Sequence, residues 1–153
     1  MPNKSLNEML NKNTTQNFWN DAKKYINIYG IASAMSYLHS HELIHGYLYP
    51  TNILMDCNFF PKITDFQPFN LHDANQNIID AQTAIYTAPE LFGNSNHSKA
   101  GDVYAFGMIV YEILTNERPF KDLNFLEILT KIASGNRPEI SSTINDSYKN
   151  LIE

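Results

Sequence analysis

His45-Gly46-Tyr47-Leu48-Tyr49-Pro50-Thr51-Asn52 is the stretch on which the reading of this chain turns. His45 is the only side chain in it that titrates near neutral pH. The phenols of Tyr47 and Tyr49 have an ordinary pKa near 10 and stay protonated there. Downstream, residues 52–56 and 61–64 read as two short strands around an Asp56-Cys57-Asn58 turn. Asp65-Phe66-Gln67 begins thirteen residues after Asn52, and Tyr86-Thr87-Ala88-Pro89-Glu90 and Asp102-Val103-Tyr104-Ala105-Phe106-Gly107 follow. Upstream, residues 20–40 carry Tyr25, Ile28, Ala32, Met35 and Leu38 at steps of three and four, which predicts an amphipathic helix burying that face. Residues 102–115 are apolar on most sides, as expected of a helix enclosed by the core. Shorter helices are expected over 5–11 and 125–133, the latter ended by Gly135 and Pro138, and residues 147–153 open another. Residues 13–17 and 69–83 read as polar loops.

These stretches, taken in order, resemble the protein-kinase catalytic domain. The opening one has the frame of the catalytic loop H-R-D-L-K-P-x-N, with His45, Leu48, Pro50 and Asn52 kept. Gly46 stands at the Arg position, Tyr47 at the catalytic Asp and Tyr49 at the Lys. Asp65-Phe66-Gln67 resembles D-F-G, Ala88-Pro89-Glu90 is an intact A-P-E, and Arg118-Pro119-Phe120 lies at the expected distance beyond. Residues 1–6 resemble the segment past the hinge, and Tyr37-Leu38-His39-Ser40 the end of the helix before the loop. The resemblance is to tyrosine-kinase-like enzymes and spans residues 1–153. It implies a mainly α fold with a small β-hairpin, the lower lobe of the domain without its upper lobe or its last helices.

The resemblance also implies a role for each matched residue. His45 supports the loop, Asn52 and Asp65 are vestiges of the magnesium–ATP positions kept for packing rather than as a metal site, and Asp102 either braces the catalytic loop or caps its helix. Phe66 and Glu90 have structural roles, and the Arg that closes on Glu90 in relatives lies beyond residue 153. Thr83, Tyr86 and Thr87 read as ordinary loop residues, because a docked phosphate needs an Arg and that position is Gly46. Tyr47 and Tyr49 fill space otherwise open to substrate and water. No catalytic residue of the loop is intact at 45, 47 and 49, and the Gly-rich turn and strand lysine of the upper lobe do not occur. The expectation is therefore a pseudokinase, not an enzyme, with no cofactor; ATP and Mg²⁺ serve the active relatives. The alternatives are a protein kinase active once its upper lobe is supplied, or a pseudogene product.

Composition agrees with a cytoplasmic location. The net charge of −5 and only two Arg, Arg118 and Arg137, form no basic stripe for nucleic acid. Cys57 is alone, so no internal disulfide forms. No apolar run is long enough to span a membrane. The expected partner is a protein. Ile53, Leu54, Ile63 and Phe66 are expected to form an uncovered upper face through which the chain self-associates or takes that partner.

Overall fold

The computed structural model describes residues 4–11, 19–66, 82–93, 96–142 and 144–152. It is mostly helical: α1 (Leu6–Leu10), α2 (Asp21–Ser40), α3 (Lys99–Thr115), α4 (Phe125–Ala133) and α5 (Asp146–Ile152). The one sheet among these residues is the antiparallel pair β1 (Ile53–Met55) and β2 (Pro61–Ile63), with Ile53 opposite Ile63. Three short 3₁₀ turns, Pro50–Asn52, Ala84–Tyr86 and Pro89–Phe92, carry the segments between.

Local chemistry sets the ends of the elements. The Ser5 hydroxyl accepts from the Glu8 N–H and the Glu8 carboxylate from the Ser5 N–H, a reciprocal cap on α1. Asn124 and Glu127 do the same for α4. Asp56 turns the hairpin, its carboxylate accepting the N–H groups of Asn58 and Phe60 at 2.9 Å each. Those donors hold its carboxyl below the usual range. The helix expected over 102–115 starts three residues earlier, because the Ser98 hydroxyl accepts from Gly101 N–H at 3.0 Å and caps it. It ends at Asn116 in the left-handed conformation, φ 54°.

The core forms around α3, whose Met108, Ile109, Val110 and Ile113 are fully enclosed. The helix is not enclosed on every side as expected, since the apolar Val103 faces solvent. Gly107 lets α5 approach, for a Cβ there would stand 2.8 Å from the Leu151 carbonyl oxygen. The buried face of α2 is rotated from the expected one. It is made by Lys24, Asn27, Ile28, Ile31 and Met35, while Tyr25 is exposed and stacks on Tyr148, ring centroids 5.8 Å apart. The two polar residues are inside because each has a backbone partner. Lys24 Nζ donates to the Leu114 carbonyl at 2.9 Å, and Asn27 donates to those of Lys23 and Phe59. Apolar periodicity does not register such residues.

The upper face also differs from expectation. Lys4 accepts from the Met55 N–H at 2.8 Å and Ser5 bridges Leu54, so the start of the chain and α1 lie against β1. Ile53 is consequently fully buried, and Leu54, Ile63 and Phe66 are half-buried. The loop expected over 13–17 falls outside the described residues, as does that over 69–83 apart from Gln82 and Thr83. Among the described residues no helix is long and apolar enough to cross a membrane.

Candidate functional site

Asp102, in the first turn of α3, organises the loop that precedes β1. It is 3% exposed and is not the helix cap, a role Ser98 takes. Its Oδ1 accepts from the Gly46 N–H at 2.8 Å, and its Oδ2 from the His45 N–H at 2.9 Å. The same Oδ2 lies 2.9 Å from Nε2 of His39, at the end of α2. One buried carboxylate thus ties α2, α3 and two successive amides of the loop together. Each amide would otherwise be an unmatched donor in a poorly hydrated place.

His45 is buried and accepts the Tyr47 N–H on Nδ1 at 3.2 Å. Its Nε2, 3.0 Å from the Thr64 carbonyl, is therefore the protonated nitrogen that donates. Burial lowers its pKa, with the nearby Asp102 charge pulling the other way. A neutral ring bonded at both nitrogens is a brace between the loop and the residues after β2. Phe66 meets it edge-on, centroids 6.5 Å apart. Asn52 donates its amide to the Tyr47 carbonyl at 2.8 Å, closing the loop on itself. Its Oδ1 is left with a long contact of 3.4 Å from the Thr51 hydroxyl. Asp65 is exposed in the left-handed region, φ 59°, and its carboxylate accepts from the Thr64 hydroxyl.

Aromatic rings occupy the altered positions. Tyr47 and Tyr49 stand edge to face, centroids 6.4 Å apart and planes at 80°, which leaves no parallel slot for a nucleobase. His97 lies against Tyr47 at 4.8 Å, and Tyr86 lies 6.0 Å from Tyr49. Gly46 is at φ 78°, and a Cβ on it would meet the His97 ring at 3.0 Å. A residue with a side chain there would therefore be strained as well as crowded. Burial lowers the His97 pKa, and its Nδ1 has no hydrogen-bond partner among the described residues.

Behind these rings the Tyr86 hydroxyl donates to the buried carboxylate of Glu112. Burial raises the pKa of both groups. Tyr86 and Thr87 are buried, which agrees with their reading as structural loop residues rather than modification sites. Glu90 is exposed within the Pro89–Phe92 turn. Its charge acts on the Tyr104 hydroxyl, which burial pushes up to about 12. Three contacts went unread in the sequence: His97 on Gly46 and Tyr47, that of His39, quoted only as part of the helix end, on Asp102, and Glu112 on Tyr86. Each meets its partner only through tertiary packing, the last across 26 residues.

A family profile described as protein tyrosine and serine/threonine kinase matches residues 1–153. A putative serine/threonine-protein kinase/receptor of Acanthamoeba polyphaga mimivirus is 34% identical over 86% of the chain and 8% of its own length. A probable LIM domain-containing serine/threonine-protein kinase of Dictyostelium discoideum is 36% identical over 80% of the chain and 19% of its own length. Mitogen-activated protein kinase kinase kinase 13 of Mus musculus is 35% identical over 81% of the chain and 13% of its own length. The chain thus spans less than a fifth of each of these relatives. Their names overturn the expectation that the chain is not an enzyme. That expectation treated the replacements at Tyr47 and Tyr49, together with the missing Gly-rich turn and strand lysine, as decisive. Phosphoryl transfer, however, rests mostly on positioning and charge stabilisation, with little covalent chemistry left to the protein.

Proposed function

Because the chain belongs to the protein tyrosine and serine/threonine kinase family, we propose that it is the lower lobe of a serine/threonine-type protein kinase domain, working in the cytoplasm in ATP-dependent phosphoryl transfer to proteins. The observation that carries this reading is the Asp102 clamp. It keeps the loop of residues 45–52 in one defined shape despite three altered positions. The preference for serine and threonine follows the names of the relatives.

In this reading Asn52 and Asp65 hold the metal that accompanies the nucleotide. Their chemistry fits: an exposed carboxylate and an amide oxygen are hard ligands, and magnesium takes one or two such groups plus substrate phosphates. Magnesium, when bound, offsets charge developing on the transferred phosphoryl group. The residues of this chain do the positioning. Asn52 is oriented by its amide bond to the Tyr47 carbonyl, and Asp65 by the Thr64 hydroxyl. Tyr47 puts a phenol where the family places a carboxylate base, and a positioned base contributes roughly 10²- to 10⁴-fold. Slow transfer is the expected consequence.

A second role is favoured by the packed rings of Tyr47, His97, Tyr49 and Tyr86. Such a surface suits protein binding and regulation in signalling, with a partner seated beside the loop. The experiment joins an upper lobe from a relative to this chain and follows labelled phosphate from ATP into serine, threonine and tyrosine peptides. Transfer to serine or threonine above an Asp65→Ala control is expected. Label no higher than that control, with the fusion folded, would leave only the regulatory role.

A further inference from the structure

A groove of about 160 Å³ opens beside the loop, between α1, the Pro50–Asn52 turn and the Ala84–Tyr86 turn. Tyr49 and Tyr86 line it with rings 6.0 Å apart. Asn7 of α1 and Asn11 at its C-terminal cap add amides, and Thr51 and Thr83 add hydroxyls. Among the described lining residues Arg118 is the one charged side chain. The neighbouring carboxylate, Glu112, is buried and takes the Tyr86 hydroxyl, so it is not part of the lining.

We propose that this groove binds an extended peptide segment of a partner protein through an acidic side chain set on Arg118. A guanidinium presents five donors in a fixed fork that matches a carboxylate or a phosphate. Arg118 already has a partner within the chain, and five donors leave capacity for a second. The remaining polar groups of the lining, amides and hydroxyls, donate readily to an anion, whereas a lysine or arginine of the peptide would meet Arg118 as a like charge. The two phenol rings give the stem of the acidic side chain an apolar wall. Aspartate, glutamate and phosphoserine share this chemistry. The inference deepens the kinase-lobe reading, for the groove borders the loop from which transfer would occur.

Binding of short labelled peptides to the 153-residue chain, read by fluorescence anisotropy without nucleotide, tests it. The peptides differ only at one central position: glutamate, phosphoserine, glutamine or lysine. Either acidic peptide is expected to bind about tenfold more tightly than the glutamine peptide, the lysine peptide weakest, as one charge-assisted pair implies. Arg118→Gln should erase the preference, and Arg118→Lys should keep part of it. A phosphoserine source shows itself by tightening between pH 5 and 7, as its second ionisation near pH 6 completes, which a glutamate peptide does not do. Asn11→Asp, at an exposed position on the rim, adds a carboxylate without entering the core. It gives up the exposed Asn11 amide's bond to Asn7 at the end of α1, so it should weaken acidic peptides with only a small drop in melting temperature, and it decides the matter if Arg118→Gln unfolds. Equal binding of all four peptides, or a preference that survives both Arg118→Gln and Asn11→Asp, would overturn the proposal. Because no ATP is involved, that result would leave the phosphoryl-transfer reading standing, and absence of transfer would leave this one standing.

Discussion

Replacing Asp102 should damage the loop more than any other single change near it. In Asp102→Ala the His45 and Gly46 amides lose their acceptor, at 2.9 and 2.8 Å, in a place where the carboxylate is 3% exposed. An unsatisfied buried donor costs about 1–3 kcal/mol, so the pair costs about 2–6 kcal/mol. Relief of the buried charge offsets some of this. His39 adds little, since its ring is partly exposed and can be solvated. A net loss of about 3 kcal/mol is expected, or about 6–12 °C in melting temperature for a chain of this size. Asp102→Asn keeps one acceptor oxygen and should lose roughly half as much. Urea denaturation followed by circular dichroism gives the stability, and amide hydrogen exchange at residues 45 and 46 gives the local effect. A loss below about 1 kcal/mol in the alanine variant would refute the clamp. So would unchanged exchange at Gly46.

Gly46→Ala should destabilise by about 1–3 kcal/mol, the strain of φ 78° added to a 3.0 Å approach of the His97 ring. Combined with His97→Ala it should cost less than the sum of the single changes, and strict additivity in a double-mutant cycle would remove the contact from the account. Gly107→Ala should lower the melting temperature although alanine favours helices, because the Leu151 carbonyl would stand 2.8 Å from the new Cβ; a rise would contradict the packing of α5. Burial holds His45 and His97 below the ordinary imidazole value, so the unfolded chain binds more protons and stability falls as pH drops below about 6.5. Glu112, held above its ordinary value, acts oppositely, losing stability as pH rises through its raised pKa. Urea titrations between pH 7.5 and 5.5 should show a shallower acid loss in His45→Gln than in the parent, and an equal slope would contradict the buried neutral ring.

The parts legible in the sequence were those encoded locally or by ordered resemblance. The α4 end was read from Gly135 and Pro138, and the hairpin from the Asp56-Cys57-Asn58 turn, while the Asn124–Glu127 cap that starts α4 was not read. The Asp102 brace followed from its place in an ordered set of matches, and the competing cap was excluded only by Ser98. The face of α2 was misread because Lys24 and Asn27 are buried on backbone carbonyls that lie far along the chain. Ile53 was misread as exposed because the cover given by α1 depends on residues 4 and 5 pairing with β1. His97 over Gly46 could not be read at all, since steric filling of a missing side chain leaves no pattern in the sequence.

The central claim is that the catalytic-loop frame is in place despite its three altered positions, and that Tyr47 is the one that slows transfer. The most direct measurement is the single-turnover rate of phosphoryl transfer in the upper-lobe fusion, with and without Tyr47→Asp. With His45, Gly46 and Asn52 held as described, an Asp at 47 enters a formed loop. The rate should rise by roughly 10²- to 10⁴-fold with nucleotide affinity little changed. A folded variant that transfers no faster than its parent would contradict the claim.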